Sequence, residues 1–448
     1  MTQSPWPRCP EAAEYFENRL KQFVCKVPEL GLIEQNLYNT TGVLLLNLVD
    51  HWILPHTLEN EKIMRELGLE PHSFPDTVVY RHPSARLPAV RLMAVTNDRP
   101  VFGVEDISHF SISHKLTPDM VAGDFDSEYE EATNTFSNGA FGVVVRKGYS
   151  GFLPGIMTTE LSEKLREARQ LLIERDRPAD DTAAILRAEE VVDKLVKLLG
   201  TARAADEFFH YERMYYTSRN SAARLQLEWQ QQAGIDWANH DHHTYRSSRE
   251  HFKQLIGIWL KLGFVLRERF YAGAEAGWGA QVMEHPVSRV VLFSDVDIHP
   301  DELEIDFSAI QLKPQSKLHT IGLWCALHGD SIGVAGMHHL ECEFDFSKTE
   351  ELHRNAGQDV MNPFTNYPML KQAFTVAEKW DVDPSRISSL LKQGFISDIE
   401  AMRFLEDGAY GSHLEILQRK EGFKGFDKTG VSAIIKATDA RIAEHEME

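Results

Sequence analysis

The chain has 448 residues, 43% of them apolar, which is enough for two or three domains with ordinary cores and argues against a disordered or fibrous protein. Its formal charge of −20, from 47 Lys+Arg against 67 Asp+Glu, is relieved by no basic run, so nucleic acid is a poor partner. Cys9, Cys25, Cys325 and Cys342 form no CxxC pair or disulfide framework, the N-terminus has no basic start leading into an apolar stretch, and the longest apolar run (43–54) is broken by Asn47, Asp50 and His51; a cytoplasmic protein without membrane insertion is expected.

Residues 11–24 have the periodicity of an amphipathic helix, and 58–67 predict a second that ends at Gly68. Runs at 77–80, 89–94 and 107–112 predict strands. From 159 to 232 the sequence turns helical and highly charged, broken at Arg175-Asp176-Arg177-Pro178, which marks a connector between two halves. Beyond it come a strand candidate at 242–245, a helix over 249–262 stopped by Gly263, and strands at 265–270, 280–284 and 289–293. The expected organisation is an N-terminal half over 1–160, a helical connector over 161–235 and a C-terminal half over 236–448.

The halves resemble each other. His51 in Val49-Asp50-His51-Trp52-Ile53 and His242 in His240-Asp241-His242-His243-Thr244 lie 191 apart, Leu67 and Leu262 lie 195 apart, and Tyr15-Phe16 and Phe208-Phe209 lie 193 apart. A near-constant offset predicts a duplication. Extending it to Ile107-Ser108-His109-Phe110 and Met337-His338-His339-Leu340, at 230, requires an insertion of about 35 residues in the second copy. The expected fold class is α+β: tandem βαβββ halves with a helical insertion, and a curved mixed sheet around a metal site.

Histidine is the commonest transition-metal ligand, and two histidines with one carboxylate leave positions on iron open for substrate and dioxygen. His242 opens one strand candidate, His339 opens another in Gly336-Met337-His338-His339-Leu340-Glu341, and Glu415 lies in Gly411-Ser412-His413-Leu414-Glu415. Each has a plainer reading, as a hydrogen-bonded structural histidine or a solvated carboxylate, and chemistry alone does not choose between His338 and His339. Asp241 should point to the opposite strand face and support the fold. In the first half His51, His109 and Glu160 follow the same order, and Pro55 stands where Arg246 stands in the second copy; that half reads as a degenerate packing partner. The glycine-rich run 273–279 lacks the pattern of a phosphate loop and reads as a flexible loop, and no GxSxG elbow or nucleophilic-cysteine signature is present.

Over about residues 205–436 the sequence resembles the iron-dependent 2-oxoadipate dioxygenase/decarboxylases, or 2-hydroxyglutarate synthases, of the vicinal oxygen chelate superfamily. The likeness rests on Asp241-His242-His243-Thr244-Tyr245-Arg246, Leu262-Gly263-Phe264, Arg289-Val290-Val291-Leu292-Phe293-Ser294-Asp295, Met337-His338-His339-Leu340 and Gly411-Ser412-His413-Leu414-Glu415, with Arg419 and Gly422-Phe423. His338 departs from the family's Asn, and His243 adds an imidazole. The resemblance implies vicinal oxygen chelate-like halves and an Fe(II) site made by His242, His339 and Glu415. It also implies that Arg246 pairs with a carboxylate of a 2-oxo acid, which reacts with dioxygen by decarboxylation and hydroxylation. Arg246 as a structural ion-pair partner is the plainer alternative. The expected partners are the 2-oxo acid and dioxygen, with a homodimer allowed; a metal-dependent glyoxalase-like lyase or isomerase, or a non-catalytic small-ligand binder, is the alternative function.

Overall fold

The structure, a computed structural model, describes residues 6–74, 77–271, 277–302 and 305–442. Short runs rich in β-branched and aromatic residues form its strands, because such side chains pack well on a pleated surface. The first half holds β1 (Val49–Pro55), β2 (Glu70–Ser73), β3 (Val78–Arg81), β4 (Ala89–Met93), β5 (Arg99–Gly103), β6 (Met120–Ala122), β7 (Tyr129–Phe136) and β8 (Gly139–Arg146). The second holds β9 (His240–Arg246), β10 (Val265–Tyr271), β11 (Trp278–Glu284), β12 (Val291–Asp297), β13 (His339–Glu343), β14 (Thr365–Tyr367), β15 (Leu370–Phe374) and β18 (His413–Arg419), with a small ribbon of β16 (Lys379–Trp380) and β17 (Ala409–Tyr410).

The first sheet is ordered β2-β3-β4-β1-β5-β8-β7-β6 and the second β10-β11-β12-β9-β13-β18-β15-β14, the same order strand for strand. Each half carries the expected βαβββ unit twice: β1, helix Leu58–Glu66 and β2 to β4, then β5, helix Ile107–Ser113 and β6 to β8. In the second half the units are β9, helix Phe252–Lys261 and β10 to β12, then β13, helix Phe346–Asn355 and β14, β15 and β18. Antiparallel pairs β1–β5 and β9–β13 join the two units of each sheet, flanked by parallel pairs β1–β4, β5–β8, β9–β12 and β13–β18.

Helices Thr159–Ile173, Asp181–Leu199, Thr201–Arg219 and Ser221–Gln232 lie between the sheets in sequence. They share the largest hydrophobic cluster, which runs from Phe16 and Trp52 through Ile185, Phe208 and Phe209 to Trp259 and Leu340. Among the described residues no helix is long and apolar enough to cross a membrane.

Three expectations are corrected or bounded. Residues 107–112 are helical: the Asp106 carboxylate accepts the His109 backbone N–H at 2.8 Å, and Ile107, Phe110 and Ser111 face inward at helical spacing. The helix expected over 249–262 begins only at Phe252, because Arg249 is committed to Glu302 and to the carbonyls of Asp297 and Lys313. It stops before Gly263, whose φ of 89° suits glycine and whose added Cβ would meet Thr201 at 2.8 Å. Of the run 273–279, residues 273–276 lie outside the described residues, and Gly279 belongs to β11. The insertion in the second copy falls between β12 and β13, where residues 298–338 replace the short link 94–98.

Candidate metal centre

Strand register explains how distant residues meet. Glu341 pairs with His242 and His339 with Thr244 across β13–β9, while His339 pairs with His413 and Glu341 with Glu415 across β13–β18. Alternate residues share a face. His242, Thr244, Arg246, His339, Glu341, His413 and Glu415 therefore project to one side of the second sheet.

On that face His242 Nε2 lies 3.9 Å and His339 Nε2 3.0 Å from Glu415 Oε2, and ligand atoms of the three side chains all fall within 4.8 Å of one another. Two ligands each about 2.1 Å from one ion are at most about 4.2 Å apart, so both distances to the carboxylate suit a shared ion. All three residues are buried. Behind them, His242 Nδ1 lies 3.1 Å from Asp241 Oδ2 and 2.8 Å from Glu341 Oε1. The Gln372 amide donates to Glu341 Oε2 at 2.8 Å and to Glu415 Oε1 at 2.9 Å, leaving Glu415 Oε2 for the cavity. Such partners fix ring orientation and tautomer in metal sites. His338 stands behind His339, their Nδ1 atoms 3.0 Å apart, so it is His339 that turns a nitrogen towards Glu415.

Burial opposes charge on His242, yet Glu341, Asp241 and Glu415 outweigh it and hold the imidazole pKa up at about 10. Burial, helped by the charge on His242, keeps His339 well below the usual histidine range and therefore neutral, as a metal ligand must be. Burial raises Glu415, and burial together with Glu415 raises Glu341 well above the carboxylate range. An arriving cation would relieve this crowding of acids. Because it must displace a proton from His242, metal affinity is expected to rise with pH, by up to roughly tenfold per unit between about pH 6.5 and 9. Competition against a chromophoric chelator measures it, and a flat profile would contradict proton exchange at His242.

Two other convergences compete. His338, His339 and His413 could also surround an ion, but three neutral imidazoles beside the Arg246 cation offer no counter-charge. Asp241, His242 and Glu341 converge too, but Asp241 is already engaged by Arg86 at 2.7 Å and Arg419 at 3.1 Å. The set of His242, His339 and Glu415 carries its own carboxylate, and all three donors line one cavity.

That cavity, about 30 Å³, is walled by Phe270, Trp278, Phe293, Phe364, Phe374 and Phe426. Asp295 is its further acid, pushed up to about 7 by burial. Arg246 lies on the same strand face but not on the cavity wall. It is almost wholly buried, stacks 5.5 Å from the Trp324 ring, and among the described residues leaves Nε and Nη2 without hydrogen-bond partners. Burial lowers its pKa to about 10.

In the first half, read as a degenerate packing partner, His51, His109 and Glu160 are not brought together. His109 sits on the helix Ile107–Ser113 with Nδ1 3.3 Å from Asp236, and Glu160 is exposed on another helix, paired with Lys164. Register instead matches His51 to His242, Arg99 to His339 and Gly142 to Glu415. Two of the three donor positions are thus occupied by residues that hold no metal. What persists in both halves is support: Asp50 bonds His51 and Arg146 as Asp241 bonds His242 and Arg419.

The reading of Asp241 as a fold support misses its reach. One carboxylate oxygen meets His242, and the other meets Arg86 of the first half, which also pairs with Glu343. Both halves therefore hold the ring. Arg86→Ala should weaken metal binding about tenfold, the lower end of the effect of such outer partners because Arg86 is partly open to solvent; chelator competition checks it, and unchanged affinity would show that Asp241 holds the ring without Arg86. Glu341, His413 and Gln372 were also missed. A signal was present: His339-Leu340-Glu341 and His413-Leu414-Glu415 repeat one tripeptide on adjacent strands in register.

No family model matches the sequence, and no curated protein matches it. Solved structures with similar folds include a protein assigned to the glyoxalase superfamily from Ralstonia eutropha JMP134, with TM-score 0.33 and 13% identity over 59% of this chain and 96% of that one. A mutant of 4-hydroxymandelate synthase from Streptomyces coelicolor gives TM-score 0.29 and 12% identity over 88% and 98%. Methylmalonyl-CoA epimerase from Mycobacterium tuberculosis gives 0.23 and 11% over 41% and 88%. These scores are too low for the likenesses to bear on chemistry.

Proposed function

We propose that the second half is an Fe(II)-dependent dioxygenase centre that acts on a 2-oxo acid with decarboxylation and hydroxylation, of the 2-oxoadipate to 2-hydroxyglutarate type. The observation that carries this reading is the buried convergence of two imidazoles and one carboxylate, with a guanidinium on the same face whose Nε and Nη2 have no hydrogen-bond partner among the described residues. In it, residues 236–448 are the catalytic half, 161–235 the connector and 1–160 a half that supports through Arg86 without binding metal itself.

His242, His339 and Glu415 would hold the ion, which supplies dioxygen activation and oxidising power. The protein's own residues supply position. Asp241 and Glu341 aim His242, and Gln372 turns one Glu415 oxygen inward. Arg246 offers a rigid donor fork to the distal carboxylate of the acid, and fixing both ends of the substrate decides which carbon reacts. The aromatic wall excludes water. A 30 Å³ cavity has room for about one water, so a 2-oxo acid gains admission only if Phe364 and the residues Val431 and Ile435 of the helix Lys428–Ala437 draw back.

Anaerobic Fe(II) loading followed by dioxygen-uptake assays across 2-oxo acids, with and without a second carboxylate, tests the proposal. Uptake stoichiometric with CO2 release, and greater for dicarboxylic acids, is expected. Metal-dependent turnover without dioxygen consumption would replace the oxygenase with a lyase or isomerase, and absence of any retained metal would end the catalytic reading.

A further inference from the structure

A second repeat frames the cleft between the halves. His82-Pro83-Ser84-Ala85-Arg86 follows β3 and His285-Pro286-Val287-Ser288-Arg289 follows β11; in each the histidine Nδ1 accepts the N–H two residues on, at 3.2 Å. Register and this motif make Arg86 equivalent to Arg289, Asp241 to Asp50, Arg419 to Arg146, Glu343 to Gly103 and Glu284 to Arg81. The pattern is reciprocal: each half sends an arginine across the cleft towards the other half's Asp-His pair.

Only one of the two arginines finds its acceptors. Arg86 meets both Asp241 and Glu343. Arg289 faces Asp50, whose carboxylate is already taken by Arg146 at 2.9 and 3.0 Å and by His51 at 2.6 Å, and Gly103 stands where the second carboxylate would be. Arg81 occupies the place of Glu284 and donates to the Ser150 carbonyl at 3.1 Å, and among the described residues its buried Nε has no partner. Five positions that hold two arginines and three carboxylates around the metal centre thus hold three arginines and one carboxylate here. The carboxylates that act on Arg81 and Arg289 are Asp50, already held by Arg146 and His51, and Glu284, which is paired with Lys424 at 2.7 Å.

The excess surrounds a cavity of about 120 Å³, room for roughly four waters, walled by Arg81, Arg146, Arg289, Ser288, Tyr149 and Asp206. The Ser288 hydroxyl also lacks a hydrogen-bond partner among the described residues. Asp206, raised to about 6 by burial, is offset by Lys147 and Arg203. The cavity shares Asp50, Arg81, Ser288 and Arg289 with the larger cleft between the halves, about 500 Å³, which gives a ligand a way in. Arg289 has a φ of 61°, a left-handed conformation uncommon for an L residue outside glycine, asparagine and aspartate.

We propose that this cavity binds a small oxyanion, a phosphate or carboxylate group, between the guanidiniums of Arg81 and Arg289 with the Ser288 hydroxyl as a further donor. Guanidinium forks match such groups. The proposal does not depend on the oxygenase reading.

Calorimetric titration of the metal-free full chain tests it, with inorganic phosphate in one arm and succinate in the other. Saturable one-site binding of at least one anion is expected, and the arm that saturates identifies the group. Arg81→Gln and Arg289→Asn should each weaken it at least tenfold, whereas Glu415→Gln, which alters the metal centre, should leave it unchanged. Asparagine tolerates the left-handed backbone, and Arg289 lines the open cleft, so that variant remains informative if Arg81→Gln fails to fold. No saturation by either anion, wild-type affinity in Arg289→Asn, or loss of binding in Glu415→Gln would each overturn the site.

Discussion

Glu415→Ala protein should leave purification without bound metal and without turnover, while the metal-free protein keeps its fold. The variant removes the one anionic donor of the proposed set, and its effect on metal affinity should exceed the ten- to hundredfold typical of residues that only orient ligands. The fold should survive because Glu415 is a buried acid raised above its ordinary range, so its charge is a burden in the metal-free state. Gln372 would still have Glu341 to donate to. Elemental analysis, with circular dichroism on the same sample, measures both parts; stoichiometric iron in the variant would remove Glu415 from the site.

Arg246→Met should raise KM steeply while leaving stability nearly unchanged. Loss of a buried, charge-assisted contact to a substrate carboxylate is worth about 2–4 kcal/mol, roughly 30- to 1000-fold in kcat/KM. The stability half of the experiment separates the two readings of this residue. Removing one partner of a buried structural ion pair costs about 3–5 kcal/mol, because the other charge is stranded. Arg246 forms no ion pair within bonding distance among the described residues, and Asp295, the carboxylate that acts on it most strongly, is raised to about 7 by burial rather than lowered. A similar-sized apolar side chain should therefore cost little or even stabilise. Denaturant unfolding that shows a loss of about 3 kcal/mol or more would restore the structural reading.

Some of this protein could be read from order along the chain alone. The Asp-His pairs at 50–51 and 241–242, each followed by a helix ending at a glycine, announced the duplication, since β-strand and helix periodicities and glycine stops are local properties. The α+β class and the paired halves follow from them. The helix at 107–113 was missed because a short buried helix and a short buried strand show the same apolar run, and only the Asp106 cap tells them apart.

The sequence also determined which residue types were on hand for a metal, and strand alternation determined that residues two apart share a face. Tertiary structure alone decided which strands lie side by side, and register decided the rest. Aligning β5 with β13 puts Arg99 rather than His109 opposite His339, and so leaves His51 as the one donor among the three matched positions of the first half. The reach of Arg86 to Asp241, the placing of Glu341 behind His242, and the missing carboxylates around Arg289 all lie between segments far apart in the chain. No local pattern encodes such contacts, because they depend on how two sheets and their insertions pack against each other.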